Sequence, residues 1–475
     1  MGHFLENIYP FVPVWAQNAG VSLYGLAYRR ERLGPGFDES VEEFKQRERC
    51  SPQQMEVYLE SRLRQVLALA FDQCPYYRES WRKAGLTQTD LAHFTLHDLR
   101  KLPVTPKAEL RASPERFVAG EAARKHRLRR YYSSGSTGTP VTIVCTSADH
   151  RRFIAAREVR SFAWAGTSIR KPRAMMGGRS VVPRANSRAP YYRYNATERQ
   201  VYFSAYHLSP ANIRNYIEGF NRYRPAVLTG YAYSYYILAQ MMLRQSLALD
   251  YQPDALVLSS EKLTDQMKSV ITRAFQARAY EEYGAVENCV LATECEKGSL
   301  HVSPDFGIVE IVDDDGNPLP PGHEGRMVCT GLQNVTQPLI RYEIGDIATW
   351  SADQCGCGRD QLPTLKEVVG RIEDAVVGPD GRELVRFHGI FVELAGVLEG
   401  QVVQKALDLF QVRVVTTEVF NEADENLIRA RFHQRLGKVR VEIECVEALP
   451  RTERGKFRSV ISELTPEQRA AAQAY

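Results

Sequence analysis

The sequence predicts a large α/β domain that contains a β-rich subdomain, followed by a small α+β domain. An apolar run at 255–258 precedes apolar residues at helical spacing from Met267 to Phe275, a pattern typical of a strand that leads into a helix. Apolar stretches at 308–312 and 326–330 flank the Asp315-Gly316 turn and predict antiparallel strands. The length of 475 residues favours two or three domains.

Elements on either side complete this arrangement. Apolar residues recur at helical spacing from Met55 to Ala70, and we expect this helix to end before Cys74-Pro75 because proline interrupts the hydrogen-bond ladder. After Gly370-Arg371, the patterns predict a strand at 411–415, a helix at 427–436 and a strand at 439–446. These elements form a domain of about 100 residues, which is a usual domain size.

The composition is that of an ordinary globular protein and excludes several classes. A formal charge of +4 is too small for a nucleic-acid-binding surface, and we interpret the arginine-rich stretch 124–130 as a solvated face. No apolar run near the N-terminus is long enough to span a membrane. The nine cysteines, an odd number without a cleavable signal segment, indicate a reducing compartment with free or metal-bound thiols. We therefore expect a cytoplasmic protein without a nucleic-acid partner.

The most informative segment is Ser133-Ser134-Gly135-Ser136-Thr137-Gly138-Thr139-Pro140, in which glycines alternate with hydroxyl side chains. The backbone N–H groups and hydroxyls of such a loop can bind a polyphosphate, which points to ATP. Its spacing differs from the G-x-x-x-x-G-K-[ST] phosphate loop, because the two glycines are close together and no lysine follows. By itself such a segment is more often a flexible Ser/Gly loop, so its interpretation depends on the accompanying motifs.

Four further segments follow this loop in order. They are Tyr283-Gly284-Ala285-Val286-Glu287, Arg341-Tyr342-Glu343-Ile344-Gly345-Asp346, Gly370-Arg371-Ile372-Glu373-Asp374 and Leu449-Pro450-Arg451-Thr452-Glu453-Arg454-Gly455-Lys456. Together the five segments resemble the motifs of the adenylate-forming superfamily of acyl-CoA synthetases, peptide-synthetase adenylation domains and luciferases. Within it the chain is most similar to the phenylacetate–CoA ligase branch, and closest to the ligase-like proteins of capsular-polysaccharide biosynthesis. The segments that carry this closer likeness are Pro13-Val14-Trp15-Ala16-Gln17-Asn18, Cys74-Pro75-Tyr76-Tyr77-Arg78, Ser204-Ala205-Tyr206-His207-Leu208-Ser209 and Ser259-Ser260-Glu261.

The resemblance implies the adenylate-forming fold, with an N-terminal domain over 1–370, a hinge at 371–374 and a mobile C-terminal lid domain over 375–475. Lys456 would bridge the substrate carboxylate and the α-phosphate of ATP, where two anions meet and a cation is needed. Glu373 matches the hinge position.

The resemblance also implies an ATP site. Asp346 would accept hydrogen bonds from both ribose hydroxyls, Tyr283 would stack near adenine, and Arg371 would contact the ribose or a phosphate. Glu287 would hold Mg²⁺, which prefers oxygen ligands. The residues that we expect to bind ATP are Ser133, Ser134, Gly135, Ser136, Thr137, Gly138, Ser260, Glu261, Tyr283, Gly284, Asp346 and Arg371.

Three positions depart from the family pattern. Thr139 stands where the family loop often carries lysine, which removes a cation from the β/γ-phosphate region. Val286 stands where Thr or Ser is usual, and Glu373 where Asp or Lys is more common. These departures concern the rate of adenylation and the efficiency of domain rotation more than the reaction itself.

A second group of residues, Cys295, His301, Cys355 and Cys357, offers four N/S ligands from two loops. Such a set suits tetrahedral Zn²⁺, although these spacings are looser than the common zinc-finger pattern. The alternative is buried thiols beside a surface histidine. The resemblance carries similar cysteines in the same segments, so we expect structural zinc, with no coordination position left for substrate.

The positions of the acid and of its acceptor are less constrained. Tyr231 and Tyr233 could line an acyl pocket, yet aromatic residues near an α/β sheet are as often packing. His207 matches a family position near the acceptor entrance, where we expect a catalytic role, although a lone histidine is commonly only a satisfied polar residue.

The resemblance implies an ATP-dependent ligase that converts a carboxylic acid to acyl-AMP and passes the acyl group to a thiol, that of coenzyme A. One alternative is transfer to an amine, a hydroxyl or a carrier protein in polysaccharide or natural-product assembly. Another is a zinc-stapled scaffold without turnover, which the missing loop lysine and Val286 would favour and which Asp346 and Lys456 argue against. The oligomeric state is left open, a homodimer included.

Overall fold

The structure of the chain is a computed structural model. It describes residues 9–132, 140–179, 181–182, 188–209, 211–260, 262–368, 376–381, 383–384, 390–391, 394, 396–447, 449 and 460–473.

Within these residues the α-helices are α1 (Val14–Leu33), α2 (Phe37–Glu48), α3 (Pro52–Gln73), α4 (Pro75–Lys83), α5 (Gln88–Ala92), α6 (Lys107–Ala112), α7 (Gly120–Lys125), α8 (Ser147–Arg157), α9 (Ile213–Tyr223), α10 (Ala232–Arg244), α11 (Asp265–Phe275), α12 (Glu422–Leu436) and α13 (Pro466–Gln473). Short 3₁₀ turns cover Tyr9–Phe11, Leu96–Lys101 and Pro114–Phe117, and a π-helical turn covers Glu158–Phe162. None of the helices that the structure describes is long and apolar enough to cross a membrane.

The strands up to the β-rich part are β1 (Arg129–Tyr132), β2 (Thr142–Cys145), β3 (Arg173–Gly177), β4 (Tyr192–Asn195), β5 (Gln200–Ser204), β6 (Val227–Tyr231), β7 (Ala255–Ser259) and β8 (Ala279–Gly284). The remaining strands are β9 (Leu291–Glu294), β10 (Leu300–Val302), β11 (Gly307–Val312), β12 (Glu324–Gly331), β13 (Tyr342–Trp350), β14 (Thr364–Val368), β15 (Val376–Val377), β16 (Glu383–Leu384), β17 (Val397–Ala406), β18 (Leu409–Thr416), β19 (Arg440–Cys445) and β20 (Val460–Ser462).

One 12-stranded sheet, in the order β11-β12-β13-β14-β10-β9-β8-β7-β6-β3-β5-β4, contains both the α/β and the β-rich parts. Strands β3, β5, β6, β7 and β8 are mutually parallel, and the neighbours beyond β8 pair antiparallel. The predicted β-rich subdomain is therefore a continuation of the same sheet.

The parallel strands are buried on both faces because their side chains alternate between two layers of helices. In β7, Leu256 and Leu258 pack with α9, α10 and α11, whereas Ala255 and Val257 pack with α2, α8 and the π-helical turn. This explains why β7 reads in the sequence as a continuous apolar run. A cavity lies between the sheet and its helices on the α8 side.

Two predicted elements illustrate how local sequence determines the boundaries. Helix α3 begins at a capping box in which the Gln54 N–H donates to Ser51 and the Ser51 N–H donates to the Gln54 side chain. It ends at Gln73, before Pro75, as expected. Strands β11 and β12 pair antiparallel on either side of the predicted turn, where Gly316 adopts a φ of 84° that favours glycine.

The C-terminal residues form a separate four-stranded sheet in the order β19-β18-β17-β20. Strands β17 and β18 make an antiparallel hairpin, and α12 connects β18 to the parallel strand β19. The sequence patterns predicted β18, α12 and β19 but not β17 or β20. The fold class, a large α/β domain followed by a smaller α+β region, is confirmed.

Candidate active site

The parallel strands β6, β7 and β8 end at one edge of the sheet, where three predicted site residues lie. Ser260 directly follows β7 with a φ of 77°, Gly284 is the last residue of β8, and Glu287 lies in the loop beyond it. Ligands of parallel sheets bind beyond the carboxyl ends of the strands, because the loops there converge. The geometry is therefore that of a ligand site.

Tyr283 and Asp346 form a hydrogen bond across the molecule. The Tyr283 hydroxyl donates to Asp346 Oδ2 at 2.8 Å, although their strands β8 and β13 are separated by β9, β10 and β14 in the sheet order. The contact exists only because this part of the sheet curls. Burial, together with the Asp346 charge, raises the pKa of Tyr283 well above its ordinary value of 10.0. Tyr283 therefore stays protonated and orients the Asp346 carboxylate.

Glu287 is a buried carboxylate held by a lysine that the sequence did not single out. Lys107 Nζ lies 3.0 Å from Glu287 Oε1 and donates to the Ile344 carbonyl at 3.0 Å. The Tyr342 hydroxyl donates to the same Glu287 oxygen at 3.4 Å. The Glu287 side chain is only 4% exposed, so this carboxylate depends on its cationic partner for stability. Lys107 thus places a cation next to the carboxylate predicted to hold Mg²⁺.

Arg341 fixes the start of the strand that carries Asp346. Its guanidinium pairs with both Glu310 oxygens, at 3.0 and 3.1 Å, and also donates to the carbonyls of Leu102 and Gly316. Its φ of 41° is rare for a residue other than glycine, and these contacts hold it in place. The Arg341 side chain is only 3% exposed, so its role is to position β13.

A cavity of about 360 Å³ opens beside the strand edge, on the α8 side of the sheet. Gly230, Ser259 and the loop from Gly284 to Val286 line one end of it, next to Glu287. Gly230 is required here, since its φ is 128° and a Cβ would lie 1.9 Å from the Met176 carbonyl oxygen. The volume lies within the range of small-molecule sites, which is about 300–1,000 Å³.

His207 and Tyr231 lie in the neighbouring core. His207 is 2% exposed, its Nδ1 is 2.7 Å from Ser204 Oγ, and its ring stacks on Tyr191 at 4.9 Å. The adjacent Tyr206 packs into the C-terminal core cluster. Tyr231 packs against the core cluster formed with α9, α10 and α11. The predicted roles of His207 and Tyr231 remain predictions.

Several predicted residues lie outside the described residues. They are the loop residues Ser133, Ser134, Gly135, Ser136, Thr137 and Gly138, together with Glu261, Arg371, Glu373 and Lys456. The backbone of Tyr233 lies in α10, but its side chain is outside the described part. Their functional assignments therefore stay predictions.

The four predicted zinc ligands come together. The ligand atoms of Cys295, His301, Cys355 and Cys357 all lie within 4.8 Å of one another. Cys295 Sγ is 3.6 Å from Cys355 Sγ, and Cys357 Sγ is 3.3 Å from His301 Nε2. Ligands about 2.3 Å from a tetrahedral zinc are separated by about 3.8 Å, so the spacing fits the ion. A disulfide would need an S–S distance of about 2.05 Å, and the three cysteines of the cluster are free thiols.

The surroundings of this cluster suit a metal as well. His301 Nδ1 is 2.8 Å from the Leu362 carbonyl oxygen, which leaves Nε2 to face the sulfurs. Burial raises the pKa of Cys355, but hydrogen bonds from Ser299, His301 and other cluster members outweigh it and hold that pKa at about 6. A thiolate at neutral pH is the form that binds a metal.

Residues 377–463 match the family model of the CapK C-terminal domain. Protein CapK of Staphylococcus aureus is 25% identical over 97% of this chain and 100% of its own length. The phenylacetate-coenzyme A ligase of Thermus thermophilus is 27% identical over 67% of this chain and 70% of its own length. A structure of 2-hydroxyisobutyryl-CoA ligase with 2-HIB-AMP and CoA covers 88% of this chain and 91% of that chain, at 22% identity and a TM-score of 0.57.

The chain has the adenylate-forming fold. The similarity to the phenylacetate–CoA ligases and to CapK that the motifs predicted is confirmed, and with CapK it extends over nearly the whole chain. In this adenylate-forming fold, the described site residues are contributed by the end of β7, by β8 and the loop after it, and by β13.

Sequence reasoning missed two residues that organise the site. Lys107 follows a segment with prolines at 103 and 106 and carries no motif of its own. Arg341 begins the motif that ends at Asp346, but the motif did not indicate a role for it. Lys107 pairs with Glu287 and Arg341 pairs with Glu310. No local sequence pattern predicts ion pairs between residues so far apart in the chain.

Proposed function

We propose that the protein is an AMP-forming acid–thiol ligase. A carboxylate oxygen of the acid attacks the α-phosphorus of ATP, the bond to the bridging oxygen breaks, and pyrophosphate leaves. The thiol of coenzyme A then attacks the acyl carbonyl, loses its proton, and displaces AMP. The observation that carries this proposal is the oriented Tyr283–Asp346 pair together with buried Glu287, whose chain neighbours Val286 and Asn288 line the cavity.

Each residue has a defined part in the proposal. Asp346, oriented by Tyr283, accepts the ribose hydroxyls, because a carboxylate offers about four acceptor sites. Glu287 holds Mg²⁺, which neutralises phosphate charge when bound. The loop 133–138 binds the phosphates, and Lys456 supplies the cation between the two reacting anions.

The sequence relatives and the fold support the choice of acceptor. The phenylacetate-coenzyme A ligase of Thermus thermophilus is 27% identical to this chain over the matched region. The similar 2-hydroxyisobutyryl-CoA ligase structure contains 2-HIB-AMP and CoA. The second candidate is transfer to an amine, hydroxyl or carrier protein in polysaccharide or natural-product assembly, which the resemblance to the ligase-like proteins of capsular-polysaccharide biosynthesis supports. We keep a cytoplasmic location in the proposal, because ATP and CoA are cytoplasmic metabolites.

A pyrophosphate-release assay across aryl, aliphatic and amino acids tests the proposal. We expect release that depends on the acid, and we expect Lys456→Ala to abolish it while ATP affinity stays within a few fold. Loss of one transition-state donor costs about 3 kcal/mol of barrier. Lys438→Ala, at an exposed lysine of the C-terminal region, is the matched control and should behave like wild type. Wild-type rates in Lys456→Ala would refute the role of the lysine, and no acid-dependent release would favour the scaffold.

The two half-reactions require the C-terminal domain to move, because Lys456 cannot stay beside the substrate carbonyl while the thiol approaches the same group. We therefore propose domains at 1–370 and 375–475 with a hinge at 371–374. Glu373→Pro should keep acyl-AMP formation and block transfer, because proline fixes φ at the hinge. Unchanged transfer to CoA would mean that the hinge is elsewhere.

We also propose that Cys295, His301, Cys355 and Cys357 hold one structural zinc ion. The four ligand atoms and the carbonyl behind His301 support this assignment. The cluster ties the turn after β9 to the loop between β13 and β14, so it steadies the strand that carries Asp346. Elemental analysis of freshly purified protein should find zinc, and its absence would remove the proposal.

A further inference from the structure

The cavity beside the strand edge is unusually cationic for an acid pocket. Four arginines, Arg32, Arg157, Arg173 and Arg179, line it, whereas Glu282 is the one carboxylate among its described lining residues. A pocket for a purely apolar acid needs few polar groups, whereas this cavity adds four guanidinium groups to a mainly apolar lining. The positive charge of these arginines therefore suggests a negatively charged group on the ligand.

Internal ion pairs neutralise only part of this charge. Arg157 pairs with Glu282 through Nε and Nη2, at 3.0 and 2.8 Å. Arg32 and Arg173 share the buried carboxylate of Glu198, at 3.1 and 3.4 Å. Burial and the neighbouring Arg32 charge lower the pKa of Arg173 to about 10, which reflects this incomplete compensation. Two guanidinium charges remain in excess of these carboxylates.

Arg179 is presented to the cavity without a counter-ion. Arg179 is solvent-exposed, and none of the described carboxylates forms an ion pair with its guanidinium. The guanidinium lies 5.8 Å from the ring centroid of Tyr28 and 5.3 Å from that of Tyr202, which hold it in place while leaving its charge uncompensated. A guanidinium fixed in this way suits bidentate binding of a carboxylate or phosphate.

Two buried donors among the lining residues lack partners. His150 is 9% exposed, and its Nε2 has no hydrogen-bond partner among the described residues. Arg32 is 8% exposed, and its Nε also lacks one. Burial, with the charges of Arg32 and other arginines, lowers the pKa of His150 to about 3, so the ring is neutral. Buried polar atoms are normally satisfied, and unsatisfied ones at a cavity wall indicate a ligand group.

We infer that the acid activated by this protein carries a second anionic group, which Arg179, Arg32 and His150 bind. The inference rests on the proposed function, because the reacting carboxylate lies at the Gly284–Val286 end of the cavity. The second group, a carboxylate, sulfate or phosphate, lies at the arginine end and satisfies the unpaired donors. An acid with one charge would leave the two buried polar atoms, Arg32 Nε and His150 Nε2, without partners.

A second cavity, of about 340 Å³, shares Tyr28, Tyr131 and Arg179 with the first. Arg127, Arg129 and Arg130 also line it. The cationic surface therefore continues from the acid cavity toward solvent. Such a surface raises the local concentration of anionic substrates and favours their entry.

The test uses matched acids that differ by one charge. The probes are short α,ω-dicarboxylic acids, their monomethyl esters, and ω-phosphonocarboxylic acids, assayed by pyrophosphate release and, without ATP, by titration calorimetry. We expect kcat/KM to favour the doubly anionic acid over its half-ester by about tenfold or more at the best chain length, as for one satisfied charged contact. The phosphonates distinguish a phosphate from a carboxylate as the second group.

Variants test whether the arginine end of the cavity causes the preference for doubly anionic acids. Arg179→Gln should remove most of it, and His150→Phe should weaken it, in both assays. Arg222→Gln is the matched control, because Arg222 is also an exposed arginine over a tyrosine ring, 5.5 Å from Tyr223, but does not line the cavity.

The outcomes separate the inference from the proposed function. Half-esters that react as well as the diacids, or an Arg179→Gln defect confined to the KM for ATP, would overturn the inference and leave the ligase intact. Arg179-dependent binding of diacids without any pyrophosphate release would overturn the ligase and leave the inference. No binding and no turnover of any doubly anionic probe would reject the inference.

Discussion

Replacing Lys107 by methionine tests whether the Glu287 carboxylate depends on its buried partner. The Lys107 ammonium is 3.0 Å from Glu287 Oε1, and the two side chains are 17% and 4% exposed. At this distance and an effective dielectric constant of about 20, the attraction is about 5 kcal/mol. Breaking a buried pair leaves an uncompensated charge and costs about 3–5 kcal/mol. Because Lys107 is partly exposed, we expect a loss of about 3 kcal/mol in the free energy of unfolding.

This loss corresponds to a measurable change in Tm. An unfolding entropy of about 2.1 cal/mol/K per residue, over the roughly 360 residues of the proposed N-terminal domain, converts 3 kcal/mol to about 4 °C. Lys171→Met is the matched control, since its ammonium lies 2.7 Å from Asp254 but the side chains are 47% and 33% exposed. That exposed pair should contribute less than about 1 kcal/mol.

Magnesium provides the second measurement. In Lys107→Met the Glu287 carboxylate lacks a cation, so millimolar Mg²⁺ without ATP should raise the Tm of this variant more than that of wild type, compared at equal ionic strength. Scanning fluorimetry gives both values. If Lys107→Met and Lys171→Met melt together, or if Mg²⁺ acts equally on Lys107→Met and wild type, the reasoning about Glu287 is wrong.

Three further substitutions test other parts of the structure. Asp346→Ala should raise the KM for ATP without changing the Tm by more than a degree or two, since the ribose hydroxyls lose their acceptor; an unchanged KM would contradict this role. Cys357→Ser should lower zinc content and Tm together, and lower activity only as folding suffers; metal analysis finding full occupancy at a lowered Tm would disprove it. Gly230→Ala should destabilise by about 3 kcal/mol, because its Cβ would lie 1.9 Å from a carbonyl oxygen. The control Gly166→Ala has a φ of 71° but open space around the added Cβ, so it should lose only about 1 kcal/mol in chemical denaturation.

Local patterns in the sequence predicted several helices and strands of the fold. The capping box at Ser51 and the proline at 75 determine where α3 begins and ends, and the apolar run at 255–258 predicts the strand β7 that leads into a helix. The Asp315-Gly316 turn predicts the β11–β12 pair. These features depend on neighbours within a few residues, so they can be read without knowing the rest of the molecule.

The chemistry-bearing motifs were also readable from the sequence, because their residue types are set by the reaction. Glu287, Asp346 and the four Cys/His residues were named from their motifs, and the structure brings the Cys/His residues within ligand distance of one another. The spacing of two close pairs was the only local indication of that cluster. That the pairs would meet depended on the resemblance.

Only the tertiary structure decided which charges face one another. Tyr283 and Asp346 meet across 63 residues because the sheet curls, and Lys107 reaches Glu287 from a separate helix. The arginines that line the cavity come from segments as far apart as Arg32 and Arg179, and no local pattern distinguishes them from surface charges. The physical reason is that desolvation and partner geometry decide what a charged side chain does, and both arise only when distant strands and helices pack together.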